Sequence, residues 1–320
     1  MEWERRWLEE YGALVAATPY EDSRRAWPKE DRRWASGKRQ IIEGVICQLK
    51  DFFGLERPRA KTLGGLLPRL AAKIAAYDGP PLVLVHGTVD NHTLWAPALP
   101  ALEESFTVFA VDRRGRGASG DGTGYSLKLE VEDLVALVDA IGGQVDLLGH
   151  SYGAICALEA ALRTTHVRRL VLYEPPLPVG IIIFTAADIE HIETLLEAGD
   201  REEALIHFGR EVLKLPPEVL QQFRADPAWQ ESVAMVHTLP REMRAVDDYV
   251  LDPAHFRDLK APTLLLLGSE SPPFLKAASE ALHVALPNSR IVVMAGGGHV
   301  EMEIGTHLFT KEVLRFLEGS

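Results

Sequence analysis

The chain has 320 residues, 47% hydrophobic and 25% charged, so it is neither mostly disordered nor too short to bury a core without disulfide or metal staples. Its net charge of −12, from 46 acidic and 34 basic side chains, argues against a nucleic-acid partner, which would call for a basic excess. Apolar runs such as Leu82–Val85, Ile181–Phe184 and Leu264–Leu267 fall far short of the roughly 18 residues of a spanning helix, so no membrane span is expected.

The N-terminal residues MEWERRWLEE carry charge on every turn and lack the apolar stretch of a secretory signal, so a cytoplasmic location is expected. Residues 1–80 hold 15 basic and 12 acidic side chains, leaving 19 and 34 for the rest, and four of the six tryptophans (Trp3, Trp7, Trp27, Trp34) fall there. Apolar residues recur at helical spacing over 2–16, 30–53 and 61–76, for example Ile42, Val45, Ile46, Leu49 and Phe52. Residues 1–79 are therefore expected to form a helical extension, ending at the turn signal Asp78-Gly79-Pro80-Pro81. It would dock on the main body, cover a sheet edge or join copies into a homo-oligomer. Of the two cysteines, Cys47 and Cys156, the second lies in an apolar helical pattern and reads as a buried free thiol.

Beyond residue 80 the pattern changes. Near-continuous apolar runs at Leu82–His86, Phe106–Val111, Val145–Leu148, Arg169–Tyr173, Thr263–Leu267 and Arg290–Met294 read as strands buried on both faces of a parallel sheet. Helical patterns at Ser126–Ile141, Tyr152–Thr164, Pro273–Leu286 and Glu303–Leu317 alternate with them, which predicts an α/β fold with a doubly wound, mostly parallel sheet and helices on both faces. The interval 177–260 is too long for a crossover and mainly helical, so it is expected to be a helical cap inserted into a core of 80–176 and 261–320, above the C-terminal strand ends where ligands bind.

The chemistry starts at Gly149-His150-Ser151-Tyr152-Gly153, between a strand and a helix. A hydroxyl nucleophile has to stand clear of the backbone and reach a base, and flanking glycines make room for the tight turn that lifts it. Ser151 is the expected nucleophile. His86-Gly87-Thr88 ends the first of these strands, and there the Thr88 N–H is expected to join that of Tyr152 in an oxyanion hole. Gly296-Gly297-Gly298-His299 follows the last strand. Its glycine loop and chain order, nucleophile first and histidine last, single out His299 among eleven histidines as the general base. His150 is expected to pack. His86 and His92 lack a third ligand, so no metal and no cofactor are expected. The acid that holds the imidazole is Glu174, after Arg169–Tyr173, or Glu270, after Thr263–Leu267.

In this order the pieces resemble the α/β-hydrolase fold family over residues 80–318, carried by His86-Gly87, the Val111-Asp112-Arg113-Arg114-Gly115-Arg116-Gly117 loop, the Ser151 elbow and Gly298-His299. Members with an Asp nucleophile, the dehalogenases and epoxide hydrolases, do not match Ser151. The resemblance places the usual acid at Ser271, which cannot serve, with Glu270 one residue early. Some members carry a Glu directly after the strand that follows the elbow helix, and Glu174 matches that placement and is favoured. The family usually begins with a β-hairpin, where this chain reads as helical.

The implied activity is serine hydrolysis of small-molecule carboxylic esters with small or medium apolar acyl groups, through an acyl-enzyme. The same residues would serve thioester, C–C bond or perhydrolase and haloperoxidase-like chemistry. A non-catalytic ligand receptor on the same fold is the rival of another class. Ile181–Phe184, Leu195, Phe208, Leu213, Phe223, Trp229 and Met235 are candidates for an apolar acyl pocket, and His237, Thr238 and Arg241 for polar groups in it.

Overall fold

The computed structural model describes residues 79–319 apart from Thr123 and Pro227. The extension expected over 1–79, and Cys47 with it, lies outside the described residues except for Gly79.

Six strands form one sheet: β1 (Pro81–Val85), β2 (Thr107–Val111), β3 (Val145–His150), β4 (Val167–Tyr173), β5 (Thr263–Gly268) and β6 (Ser289–Met294), in the order β2-β1-β3-β4-β5-β6. Every neighbouring pair is parallel. The continuous apolar runs of the inner strands follow from burial on both sides; edge strand β6, expected to be buried as well, buries only Met294 and leaves Arg290 and Val293 exposed. Successive side chains of a strand point to opposite faces, so Val83, Val85, Leu147, Leu170, Leu172 and Leu265 join one core. Leu82, Leu84, Leu148, Val171, Leu264 and Leu266 join the other.

Helices cover both cores. The short α1 (Leu99–Leu102), in a connection where no helix was expected, gives Leu102 to the second core. Helix α2 (Leu127–Ile141) starts where the Ser126 hydroxyl accepts from the Leu129 N–H, and it turns Val131, Leu134 and Val138 onto the first core. Helix α3 (Tyr152–Ala161) lies entirely inside, with all ten residues buried, and includes the free thiol of Cys156.

Between β4 and β5 come α4 (Ala186–Ala198), α5 (Arg201–His207), α6 (Pro217–Ala225), α7 (Trp229–Met235) and α8 (Leu239–Asp247). They share a separate apolar cluster that includes Ile192, Leu205, Phe208, Trp229, Leu239 and Met243, and Val89 from the loop after β1 reaches into it. A wide π-helical turn, Phe208–Val212, interrupts this stretch; such turns recur at functional sites. Helix α9 (Pro273–Ala285) packs on the first core. The pattern read as one helix over Glu303–Leu317 is two, α10 (Glu301–Ile304) and α11 (Thr306–Leu317), broken at Gly305. Among the described residues no helix is long and apolar enough to cross a membrane.

Strand order reverses between β1 and β3, with β2 on the far side of β1. The crevice beyond the strand ends at such a point is where open α/β sheets bind ligands. The loops after β1 and β3 meet there in a packing only glycine permits. A Cβ on Gly153 would stand 2.3 Å from the His86 carbonyl oxygen and 2.5 Å from that of Val85, and one on Gly149 would stand 2.4 Å from the Gly153 oxygen. These obstacles are backbone atoms, which cannot swing aside. Gly153→Ala is therefore expected to cost about 3 kcal/mol of folding stability, read as a lowered denaturation midpoint. An unchanged midpoint would mean that the two loops do not approach this closely.

Candidate active site

Ser151 directly follows β3 and caps α3 with φ 53° and ψ −124°. A non-glycine residue with positive φ is strained, and such strain concentrates at functional sites. Here the surroundings hold it: the Ser151 N–H donates to the Tyr173 carbonyl at 2.8 Å, and Ser151 is 9% exposed. Glu174 and Val89, after β4 and β1, share the left-handed region at φ 50° and 55°. All three stand at the C-terminal ends of neighbouring strands.

Glu174 is fully buried. Its Oε1 accepts the Gly268 N–H at 2.6 Å, and its Oε2 lies 2.5 Å from His299 Nδ1. A carboxylate oxygen accepts, so Nδ1 carries the proton and Nε2 keeps its lone pair. The glycine loop bearing His299 is pinned from several sides. The Tyr173 hydroxyl donates to the Gly298 carbonyl, and Glu301 Oε1 accepts the Gly298 N–H at 2.9 Å. His150 Nε2 reaches the His299 carbonyl at 2.9 Å, with the two rings 4.7 Å apart. Burial, with His299 next, pushes His150 well below the usual imidazole range, so it stays neutral and donates from Nε2. It packs, as its place beside the serine suggests.

Glu270 is elsewhere. It is exposed, and its Oε1 accepts from the Ser269 hydroxyl at 3.0 Å. The two carboxylates that the sequence left in competition are thus separated: Glu174 meets His299, and Glu270 pairs with its chain neighbour.

Thr88, Ser151 and His299 line one cavity of about 40 Å3. Tyr152 opens α3, so its N–H has no intrahelical partner. Its ring is buried beneath the Arg113 guanidinium at 4.9 Å, and its hydroxyl accepts from Tyr125 at 2.8 Å. The rest of the wall is mainly apolar and comes largely from the interval between β4 and β5: Ile183, Phe184, Phe208, Val212, Leu213, Leu239, Met243 and Val246. Of the expected pocket residues, Ile181, Ile182, Leu195, Phe223, Trp229 and Met235 do not line this cavity, and Ile181 and Ile182 are exposed. Leu195, Phe223 and Trp229 belong to the helices' own apolar cluster, and Met235 is buried. His237, Thr238 and Arg241 stay out of it too. His237 and Thr238 bond the carbonyls of Ala234 and Met235, and Arg241 pairs with Asp121 at 2.6 Å.

One group in the wall was missed by the sequence reading. Glu242 of α8 is 1% exposed, and its Oε1 accepts from Arg113 Nη1 at 2.7 Å and Arg116 Nη2 at 2.5 Å. Burial works to raise its pKa, but the two guanidiniums outweigh it and hold the carboxyl below its usual range. Arg113 also contacts Glu130 at 3.0 Å and donates to the His86 and Gly87 carbonyls at 2.9 and 2.7 Å. It thereby ties the loop carrying Thr88 to α8. The signal was available: in Leu239–Asp247 a charged residue stands on the apolar stripe of Leu239, Met243 and Val246.

The sequence profile of the alpha/beta hydrolase family matches residues 82–306, and the chain belongs to that family. It is 28% identical over 269 residues to a 2-(acetamidomethylene)succinate hydrolase of Mesorhizobium japonicum, spanning 76% of this chain and 89% of the relative. It is 27% identical over 254 residues to a Pseudomonas savastanoi protein named as a carbamate hydrolase, spanning 76% of this chain and 95% of the relative. The crystal structure of an alpha/beta hydrolase from Sphaerobacter thermophilus superimposes with a TM-score of 0.64 at 32% identity, over 72% of this chain and 92% of that one. The chain is a hydrolase of this family.

Proposed function

We propose that the chain is a serine hydrolase cleaving carboxylic esters of small or medium acyl groups through an acyl-enzyme, with Ser151 as nucleophile, His299 as general base and Glu174 as the acid that holds it. The observation that carries this reading is the 2.5 Å contact of Glu174 with His299, made beside a cavity that Ser151 and His299 both line. With Nδ1–H given to Glu174, His299 Nε2 is the atom that takes the Ser151 proton as Oγ attacks the acyl carbonyl. The oxygen that becomes negative is received by the Thr88 and Tyr152 N–H groups, each contributing about 3 kcal/mol in comparable sites. His299 passes the proton to the leaving alcohol, then takes one from water as the water attacks the acyl-enzyme.

In this reading the helices of 177–260 act as a cap that supplies the apolar wall and keeps water from the acyl group. A second reading takes its support from the relatives named for an acetamido compound and for a carbamate. The same steps would then cleave an amide or carbamate, with His299 protonating nitrogen.

Intact mass after treatment with a fluorophosphonate tests the common core. One adduct is expected on the wild type and none on Ser151→Ala, whose kcat should fall by about six orders of magnitude. A panel of p-nitrophenyl esters, N-acyl compounds and carbamates then separates the two readings by kcat/KM. A folded wild type that takes no adduct and turns over no member of the panel sinks both.

A further inference from the structure

Glu242 is more than a counter-ion. Both guanidiniums that reach it converge on Oε1, and Oε2, equally buried, has no hydrogen-bond partner among the described residues. A buried acceptor left unpaired is costly, and a residue needed only to balance charge would present both oxygens to its arginines. The residue instead lines the cavity with Ser151 and His299, where the Thr88 hydroxyl lies against the carboxylate and helps the arginines hold it below its usual range, in a wall that is otherwise mostly apolar.

We propose that Glu242 determines the specificity of this site, with Oε2 accepting a hydrogen bond from a neutral O–H or N–H donor on the acyl part of the substrate. The proposal rests on the serine-hydrolase reading of Ser151 and His299. The surrounding charges decide for a neutral donor over a cation. Arg113 and Arg116 stand against Glu242 and Glu130, so the four charges cancel. Protonation of Glu130, which burial pushes upward, would only add positive charge. Asp90 also feels both arginines, but desolvation and then Glu303 outweigh them and push its carboxyl up to about 8, so it is a weak source of negative charge. A cationic group would find no spare negative charge here, whereas a hydroxyl or amide N–H needs only a lone pair. Apolar acyl chains of the same shape would leave Oε2 unpaired, and a site built around a hydrogen bond rejects such isosteres strongly.

Isosteric esters provide the test. The p-nitrophenyl esters of 3-hydroxypropionic and butyric acid differ by a hydroxyl in place of a methyl, as do those of hydroxyacetic and propionic acid. In wild type the hydroxy ester of at least one pair is expected to lead in kcat/KM by tenfold or more, the scale of a hydrogen bond to a charged group. In Glu242→Gln the amide N–H turned toward the substrate can keep only a neutral hydrogen bond to the hydroxyl oxygen, so the ratio should fall to about threefold or below. Should that variant not fold, Glu242→Asp keeps the charge for both arginines but retracts the oxygen, and the same loss of preference is expected. A merely structural residue would lower both rates together and leave the ratio unchanged.

Equal rates for both members of each pair, in a protein whose Ser151 labels with fluorophosphonate, overturn the proposal and leave the serine reading standing. If the serine reading itself fails, binding to Ser151→Ala still decides on Glu242, measured by NMR titration with the corresponding ethyl esters. Tighter binding of a hydroxy ester, lost on adding Glu242→Gln, supports the subsite. Equal binding overturns it.

Discussion

Glu174→Gln is expected to cost about four orders of magnitude in kcat, while Glu270→Gln changes it by less than a few-fold. The reason lies in what the two carboxylate oxygens of Glu174 do. Oε2 accepts from His299 Nδ1 and Oε1 from the Gly268 N–H at 2.6 Å, so both oxygens face donors. An amide can satisfy only one of them. With its NH2 toward His299, the ring must accept at Nδ1, which moves the proton to Nε2 and leaves no lone pair for the serine proton. With its oxygen toward His299, the NH2 faces the Gly268 N–H, donor against donor, in a place without solvent. The exposed Glu270 carboxylate touches Ser269 and makes no such demand. Steady-state kinetics of both variants, with circular dichroism to show that each is folded, provide the check. Small and equal losses would remove Glu174 from its proposed role.

Arg113→Met is expected to cost about 3–5 kcal/mol of folding stability, the loss seen when one partner of a buried ion pair is removed. Arg113 is 5% exposed and its side chain makes four hydrogen bonds, to the His86 and Gly87 carbonyls and to Glu130 and Glu242. Methionine fills much of the volume but leaves two carbonyls and two carboxylates to find new partners away from water. Replacing Glu130 by Leu in the same protein should recover part of the loss, because it removes one stranded charge. Turnover should fall further than stability alone explains, since Thr88 rides on the loop that Arg113 holds. Denaturant melts of the single and double variants measure this. A single-variant loss below about 1 kcal/mol would mean that water solvates the cluster and that the latch is weak.

The sheet could be read from the sequence because its four inner strands are buried on both faces, whereas the edge strand β6 is half-exposed, with Val293 54% exposed, and was read from its apolar run alone. Each shows as an apolar block such as Leu82–Val85, and the strand bounds in the structure differ from those expected by a residue or two. The elbow could be read because two glycines flank Ser151 where a Cβ would strike backbone. Glu174 and Glu270 could not be separated in that way. Both follow buried strands, and only the packing of β4 against β5 places Glu174 beneath the glycine loop while Glu270 turns to solvent. The arginine and glutamate cluster escaped for a related reason. Arg113 and Glu242 are 129 residues apart and belong to different layers, and a single charge on an apolar helix face does not name its partner. His237, Thr238 and Arg241 looked like pocket groups because they are polar and near the apolar positions of the same helices. Their helical phase turns them to carbonyls and to Asp121 instead.

The contact between Glu174 and His299 spans 125 residues of chain, and that between His150 and the His299 carbonyl spans 149. Contacts of such separation are made late in folding, once the sheet has joined what lies between. In the proposed mechanism, a chain folded only through β4 would hold its elbow, the Thr88 loop and Glu174 but would lack its base until β5 and β6 had docked and brought the glycine loop over the strand ends. Its Ser151 would then be an ordinary alcohol, and reactivity would arrive only with the last strands.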